Sequence, residues 1–88
     1  MTYQVEFTKS ALKDLKKLDP HIAALILSWV RKNLDRCDDP RRYGKSLTGD
    51  RGGEWRYRVG DYRLIARIDD GRITIFLLHI GHRRNIYD

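Results

Sequence analysis

The chain has 88 residues, with 18 Lys and Arg against 12 Asp and Glu for a net charge of +6, and 41% of it is hydrophobic. That length fits one domain, residues 1–88, and the apolar share with two Trp and five Tyr argues against a disordered tail. The single cysteine, Cys37, excludes an internal disulfide and a cysteine metal cluster, so a reducing compartment is expected.

The opening residues do not resemble a signal peptide, and apolar runs fall well short of the ~20 residues a membrane span needs, so the expectation is a cytoplasmic protein without a membrane partner. An excess of positive charge concentrates polyanions, which puts nucleic acid first among partners and an acidic protein second. All basic residues from Arg51 onward are Arg, and the lysines stop at Lys45. Arg offers a planar fork suited to paired phosphate contacts, whereas Lys is a flexible point charge.

In chain order, Tyr3, Val5 and Phe7 alternate with Gln4 and Glu6, the period of a half-buried strand. Thr8 is placed to cap a helix whose stripe is Ala11, Leu12, Leu15 and Leu18, with the neighbouring lysines as a solvated face. Asp19 and Pro20 fit the cap and first position of a second helix, running to about Arg36 on Ile22, Leu25, Ile26, Trp29, Val30 and Leu34. Two helices with almost no connector predict an antiparallel hairpin. His21 is expected on the surface, and the Asp-Asp-Pro run at 38–40 stops the helix.

Residues 40–53 are turn-like, with Leu47 the lone large aliphatic expected to pin them to the core. Strands return with Trp55, Tyr57 and Val59 against Arg56 and Arg58, then Tyr62 to Ile68 after a Gly60–Asp61 turn. A further reversal at 69–71 leads into the most apolar segment, 72–80, expected to be the central strand buried on both faces. The fold class is α+β, in the order β-α-α-β-β-β: one four-stranded sheet of an N-terminal strand and a three-stranded antiparallel meander, covered on one face by the helical hairpin.

The uncovered sheet face carries the candidate site. Arg56 and Arg58, two apart on a strand, point the same way. Arg63 approaches them across the hairpin, and the last strand is expected to deliver His82 and Arg83. His79, of opposite parity to His82, is assigned a structural role. No recognition helix, zinc-finger spacing, phosphate-binding glycine loop or metal-ligand cluster is apparent, and the acidic pairs are assigned to turns, so neither a metal nor a cofactor is expected.

An arginine pocket suits metal-free RNA cleavage. The 2′-hydroxyl attacks phosphorus, charge builds on the non-bridging oxygens, and the 5′-oxygen leaves with a proton. Guanidinium groups stabilise that charge but hold their protons too tightly for general base work. His82 is the nearby group suited to proton transfer, and Tyr87 can stack on a base or donate its hydroxyl.

The opening YQVEFTKSALKDLKKL, the GKSLTG before the second strand, GDYRLIARIDD and the closing HIGHRRNIY together resemble the RelE/ParE superfamily of type II toxin–antitoxin modules, the RelE-like branch in particular. The resemblance spans nearly the whole chain. It implies an mRNA interferase that cuts the codon exposed in the ribosomal A site and is held inactive by a cognate RelB-like antitoxin. It assigns site positions to Arg56 and Arg58, where relatives often carry Lys, and to Arg63, Arg83 and Tyr87, with His82 one residue before a usual catalytic position. The same fold also serves the ParE-like branch, which poisons DNA gyrase, and a non-catalytic RNA- or protein-binding member remains a further alternative.

Overall fold

The computed structural model describes residues 1–46 and 54–82. Seven elements follow one another: β1 (Gln4–Phe7), α1 (Lys9–Lys17), α2 (Pro20–Asn33), β2 (Lys45–Ser46), β3 (Glu54–Val59), β4 (Tyr62–Asp69) and β5 (Thr74–His82). This is the expected α+β order with one addition, the two-residue β2, which makes the sheet five-stranded in the order β1-β5-β4-β3-β2. Periodicity could not reveal β2, because two residues carry no period.

Both helix starts form as their caps dictate. The Thr8 hydroxyl accepts from the Ala11 amide at 3.1 Å, and the Asp19 carboxylate accepts from the His21 amide at 2.8 Å, each satisfying an otherwise orphaned N–H. Pro20 occupies the first turn of α2. That helix ends at Asn33 with Leu34 as its cap, short of the expected Arg36, which instead takes a left-handed φ of 64°. The chain is thereby turned so that the Arg36 amide donates to the Tyr3 carbonyl and the Tyr3 amide to the Cys37 carbonyl, both at 2.8 Å.

The core lies between the helices and one face of the sheet, where Ala11, Ile26, Val30 and Leu34 meet Tyr57, Val59, Leu64, Ala66, Ile75, Leu77 and Ile80. Burying each large aliphatic side chain contributes about 1.5–3 kcal/mol. Leu12 and Leu25, assigned to the buried stripes, are about half exposed instead, at 46% and 55%. The seam facing the sheet is narrower than their apolar character implied. Tyr57 is fully buried, with its hydroxyl donating to the Pro40 carbonyl at 2.7 Å, and burial pushes that phenol far above its ordinary range.

Residues 72–80 do not form the central strand. β4 is the middle of the five, and β5 lies between β4 and β1, pairing in parallel with β1 through Thr74–Leu77 alone. Beyond Leu77, β1 has given way to α1, and side chains take over the edge of β5. The Thr8 hydroxyl donates to the Leu78 carbonyl at 3.1 Å, and the Ile80 amide donates to the Asp14 carboxylate at 2.9 Å. Here β5 also bulges. Ala66 pairs with Leu77 and Ile65 with His79, leaving Leu78 as the extra residue.

On the β4–β5 turn, Asp69 behaves as the turn former expected, accepting from the Arg72 amide at 3.1 Å. Asp70 does more: it accepts from the Tyr3 hydroxyl at 2.6 Å and from both terminal nitrogens of Arg41 at 3.1 and 3.0 Å, tying three distant segments together. The Arg41 and Tyr3 hydrogen bonds hold its carboxyl below the ordinary value, and the same bond raises the Tyr3 phenol.

Candidate active site

The strand registers place the candidate residues in rows. Arg58 faces Arg63, which faces Gly81. One step along, Arg56 faces Ile65, which faces His79. Directly paired residues share a face, so Arg56, Arg58, Arg63 and His79 all stand on the side away from the helices. Neighbouring strands are ~4.8 Å apart and alternate residues ~6.6 Å apart, which gathers the three arginine Cα atoms within roughly 8 Å.

The local sequence builds this patch. Gly60, at φ 61°, closes the β3–β4 hairpin in two residues and so sets Val59 against Tyr62 and Arg58 against Arg63. The exposed Arg58 bends over that turn, its Nε donating to the Gly60 carbonyl at 3.3 Å. Arg63 is half-buried with its Nε inside the protein, while Arg56 is also partly buried. Arg67 faces Glu54 in the next row at 3.5 Å, so the cationic patch ends there in an ion pair.

The outer wall of β3 depends on Gly44, whose φ is 78°. A Cβ at that position would lie 2.1 Å from the Arg56 carbonyl oxygen, which no side chain can tolerate. The close approach lets β2 pair Lys45 with Arg56, and the Trp55 indole donates to the Tyr43 carbonyl at 2.6 Å.

His82 does not join the arginines. It pairs with Tyr62 and packs edge-on against that ring at 5.4 Å, on the core side of the sheet at its rim. The bulge is the reason. Counting alternately from buried Ile75 and Leu77 would turn His79 inward and His82 outward; the extra Leu78 reverses both. His79 therefore reaches the arginine side, and its Nδ1 lies 3.8 Å from the Asp14 carboxylate. Sequence reasoning missed this pair, and a single-residue bulge leaves no periodic mark by which to find it. Arg83 and Tyr87, like Leu47, lie outside the described residues.

A cleft of about 450 Å³ lies between α1 and the end of β5, lined among others by Asp14, Lys17, Tyr62, His79, Gly81 and His82. Among the described residues no three or more His, Cys, Asp or Glu side chains gather to hold a metal ion, and no helix is long and apolar enough to cross a membrane. What the uncovered face offers is fixed positive charge and hydrogen-bond donors beside a histidine.

Comparison with known proteins gives this face a context. The sequence profile of the family described as ParE toxin of type II toxin–antitoxin system, parDE, matches residues 5–87. Toxin RelG of Mycobacterium tuberculosis is 41% identical over 87 residues, spanning 99% of this chain and 98% of that protein. Toxin RelE of the same organism is 38% identical over 85 residues, 97% of this chain and 86% of its own length. The chain belongs to the RelE/ParE toxin superfamily.

Within that superfamily it is a RelE-like toxin. The toxin–antitoxin complex RelBE2 from Mycobacterium tuberculosis contains a chain of the same fold, at a TM-score of 0.83 and 40% identity, covering 94% of this chain and 93% of that one. The archaeal RelE–RelB complex from Pyrococcus horikoshii OT3 gives a TM-score of 0.73 at 30% identity, with 94% and 97% covered.

Proposed function

We propose that this protein is a ribosome-dependent endoribonuclease toxin that cuts mRNA in the ribosomal A site by metal-independent attack of a 2′-hydroxyl, and that a RelB-like antitoxin neutralises it. The observation that carries the reading is the Arg58–Arg63 pair with Arg56 in the next row on the uncovered face. Three guanidinium groups in that space can bind the non-bridging oxygens of one phosphate and stabilise the charge that accumulates there as the 2′-oxygen attacks. Fixed donors of this kind cost no reorganisation at the moment of reaction. Arg83 and Tyr87 keep the parts that the resemblance assigns them, a further cation and a stacking or hydroxyl-donating ring. His82, packed against Tyr62 at the rim of the covered side, stands apart from the three arginines.

Ribosome dependence is supported by the cationic character of the described part of the face. Cations alone hold a phosphate without bringing the 2′-hydroxyl in line, and a bound geometry supplied by the decoding centre would provide that alignment. Support for the antitoxin comes from the relatives, whose complexes pair RelE with RelB. An acidic partner laid over the arginine face would bring the complementary charge.

The test compares cleavage of free mRNA with cleavage on programmed ribosomes, using the wild type and Arg63→Ala. Fast cutting on ribosomes that depends on Arg63 supports the reading, while equal rates on both substrates overturn the ribosome dependence. Growth arrest that survives Arg63→Ala and is relieved by extra gyrase would instead support the ParE-like alternative, which the name of the matching family keeps in view.

A further inference from the structure

Cleavage of an RNA phosphodiester needs a proton for the departing 5′-oxygen, and guanidinium groups do not release theirs near neutral pH. Among the described residues the histidine on the arginine side of the sheet is His79, one strand from Ile65 and one row from Arg63. We infer that His79, beside the Asp14 carboxylate, is the general acid of the cleavage reaction. This rests on the nuclease reading above and assigns its proton donor.

The geometry is specific to this stretch of β5. The Leu78 bulge turns His79 out to the arginine side. Gly81, facing Arg63, puts no side chain of its own between Arg63 and the ring. Asp14 is itself fixed, since its Oδ2 accepts the Ile80 amide at 2.9 Å, and that same oxygen lies 3.8 Å from His79 Nδ1. At 3.8 Å the contact is too long for a hydrogen bond but close enough for the carboxylate's charge to act on the ring. It thus brings negative charge to the β5 edge of the arginine face, opposite the end where Glu54 pairs with Arg67. A proton-transfer group set beside fixed cations that can hold the phosphate is the arrangement that acid–base catalysis requires.

The step balances as follows. The 2′-oxygen forms a bond to phosphorus and its proton passes to solvent. The P–O5′ bond breaks, and the proton carried by His79 goes to O5′. The products are a 2′,3′-cyclic phosphate and a 5′-hydroxyl, and the ring recovers a proton from water. Arg56, Arg58 and Arg63 hold the charge throughout.

A sulfur leaving group separates this role from a structural one, because a thiol has an ordinary pKa of ~8.5 and departs without a donated proton. Programmed ribosomes would carry mRNA with either oxygen or a bridging 5′-sulfur at the scissile linkage. On the oxygen substrate His79→Gln should slow cleavage on the order of 10²-fold, the usual size of a lost general acid, and on the sulfur substrate most of that loss should vanish. Asp14→Asn still offers an oxygen to the Ile80 amide, and its smaller loss should be relieved by sulfur in the same way. Arg63→Ala should remain slow on both. If His79→Gln is as fast as the wild type, or equally slow on both substrates, the assignment is wrong while the nuclease reading stands. A wild type that cuts neither substrate removes both.

Discussion

The two faces of the sheet are built from the same strands and obey opposite rules. On the covered side Tyr57, Leu64, Ala66 and Leu77 are wholly buried against the helices. On the uncovered side their immediate neighbours are Arg56, Arg58, Arg63 and His79, which range from half-buried to exposed. One residue of shift along β3 or β4 thus separates a side chain packed against the helices from one turned to the uncovered face. The covered face tolerates almost no polarity, and the uncovered face concentrates charge that would be intolerable one position away.

Substitutions one residue apart should therefore fail in different assays. Leu64→Ala should cost about 2–5 kcal/mol of stability, read as a lowered denaturation midpoint, since it empties a fully buried site. Its neighbour Arg63→Ala should leave the midpoint comparatively intact and lower ribosome-dependent cleavage by on the order of 10²–10³, the effect of removing one preorganised charge donor. Equal damage in both assays from both variants would break the contrast. Gly44→Ala lies where the faces meet the sheet's outer edge. It should lose about 1–3 kcal/mol or unpair β2, because the new Cβ collides with the Arg56 carbonyl.

The smaller effects concern turns. Ile73 sits at φ 51°, a strained conformation for a β-branched residue, so Ile73→Gly should raise stability by up to about 1 kcal/mol, measured by chemical denaturation. Asp70 contributes through its lowered pKa. Its stabilisation is present above the ordinary value of 3.8 and is lost as pH falls through the lower folded value. Tyr3 has the opposite sign: its share is present below 10.0 and fades as pH rises through its raised value. In Asp70→Asn the acid limb of the stability profile should flatten, by a modest amount because the cluster is solvent-exposed. An unchanged limb would show that the Tyr3–Asp70–Arg41 clamp contributes nothing.

Much of this contrast was legible in the sequence. The strict alternation of Trp55, Tyr57 and Val59 with Arg56 and Arg58 set the two faces of β3, and Gly60–Asp61 fixed the hairpin that brings Arg63 opposite Arg58. Thr8, Asp19 and Pro20 marked both helix starts through local capping chemistry. What escaped depended on distant partners. The parallel pairing of β1 with β5 has no local signature, and the two-residue β2, which extends the sheet beyond β3 and makes β4 its middle strand, has no period to show. The Leu78 bulge is imposed where β1 gives out and Thr8 and Asp14 take over the edge, and it exchanged the expected positions of His79 and His82. Asp70 read as a turn former because nothing nearby in sequence announces Arg41 or Tyr3.

The pairing of β1 with β5 joins Gln4 to Thr74 and Phe7 to Leu77, residues 70 positions apart. During synthesis the first strand to emerge has to wait, unpaired, until almost the entire polypeptide has followed it. Loop closure over that distance is slow, and no prematurely ended product can complete the sheet. A molecule proposed to damage translation would in this way stay harmless to the ribosome making it until its own message has been nearly read through.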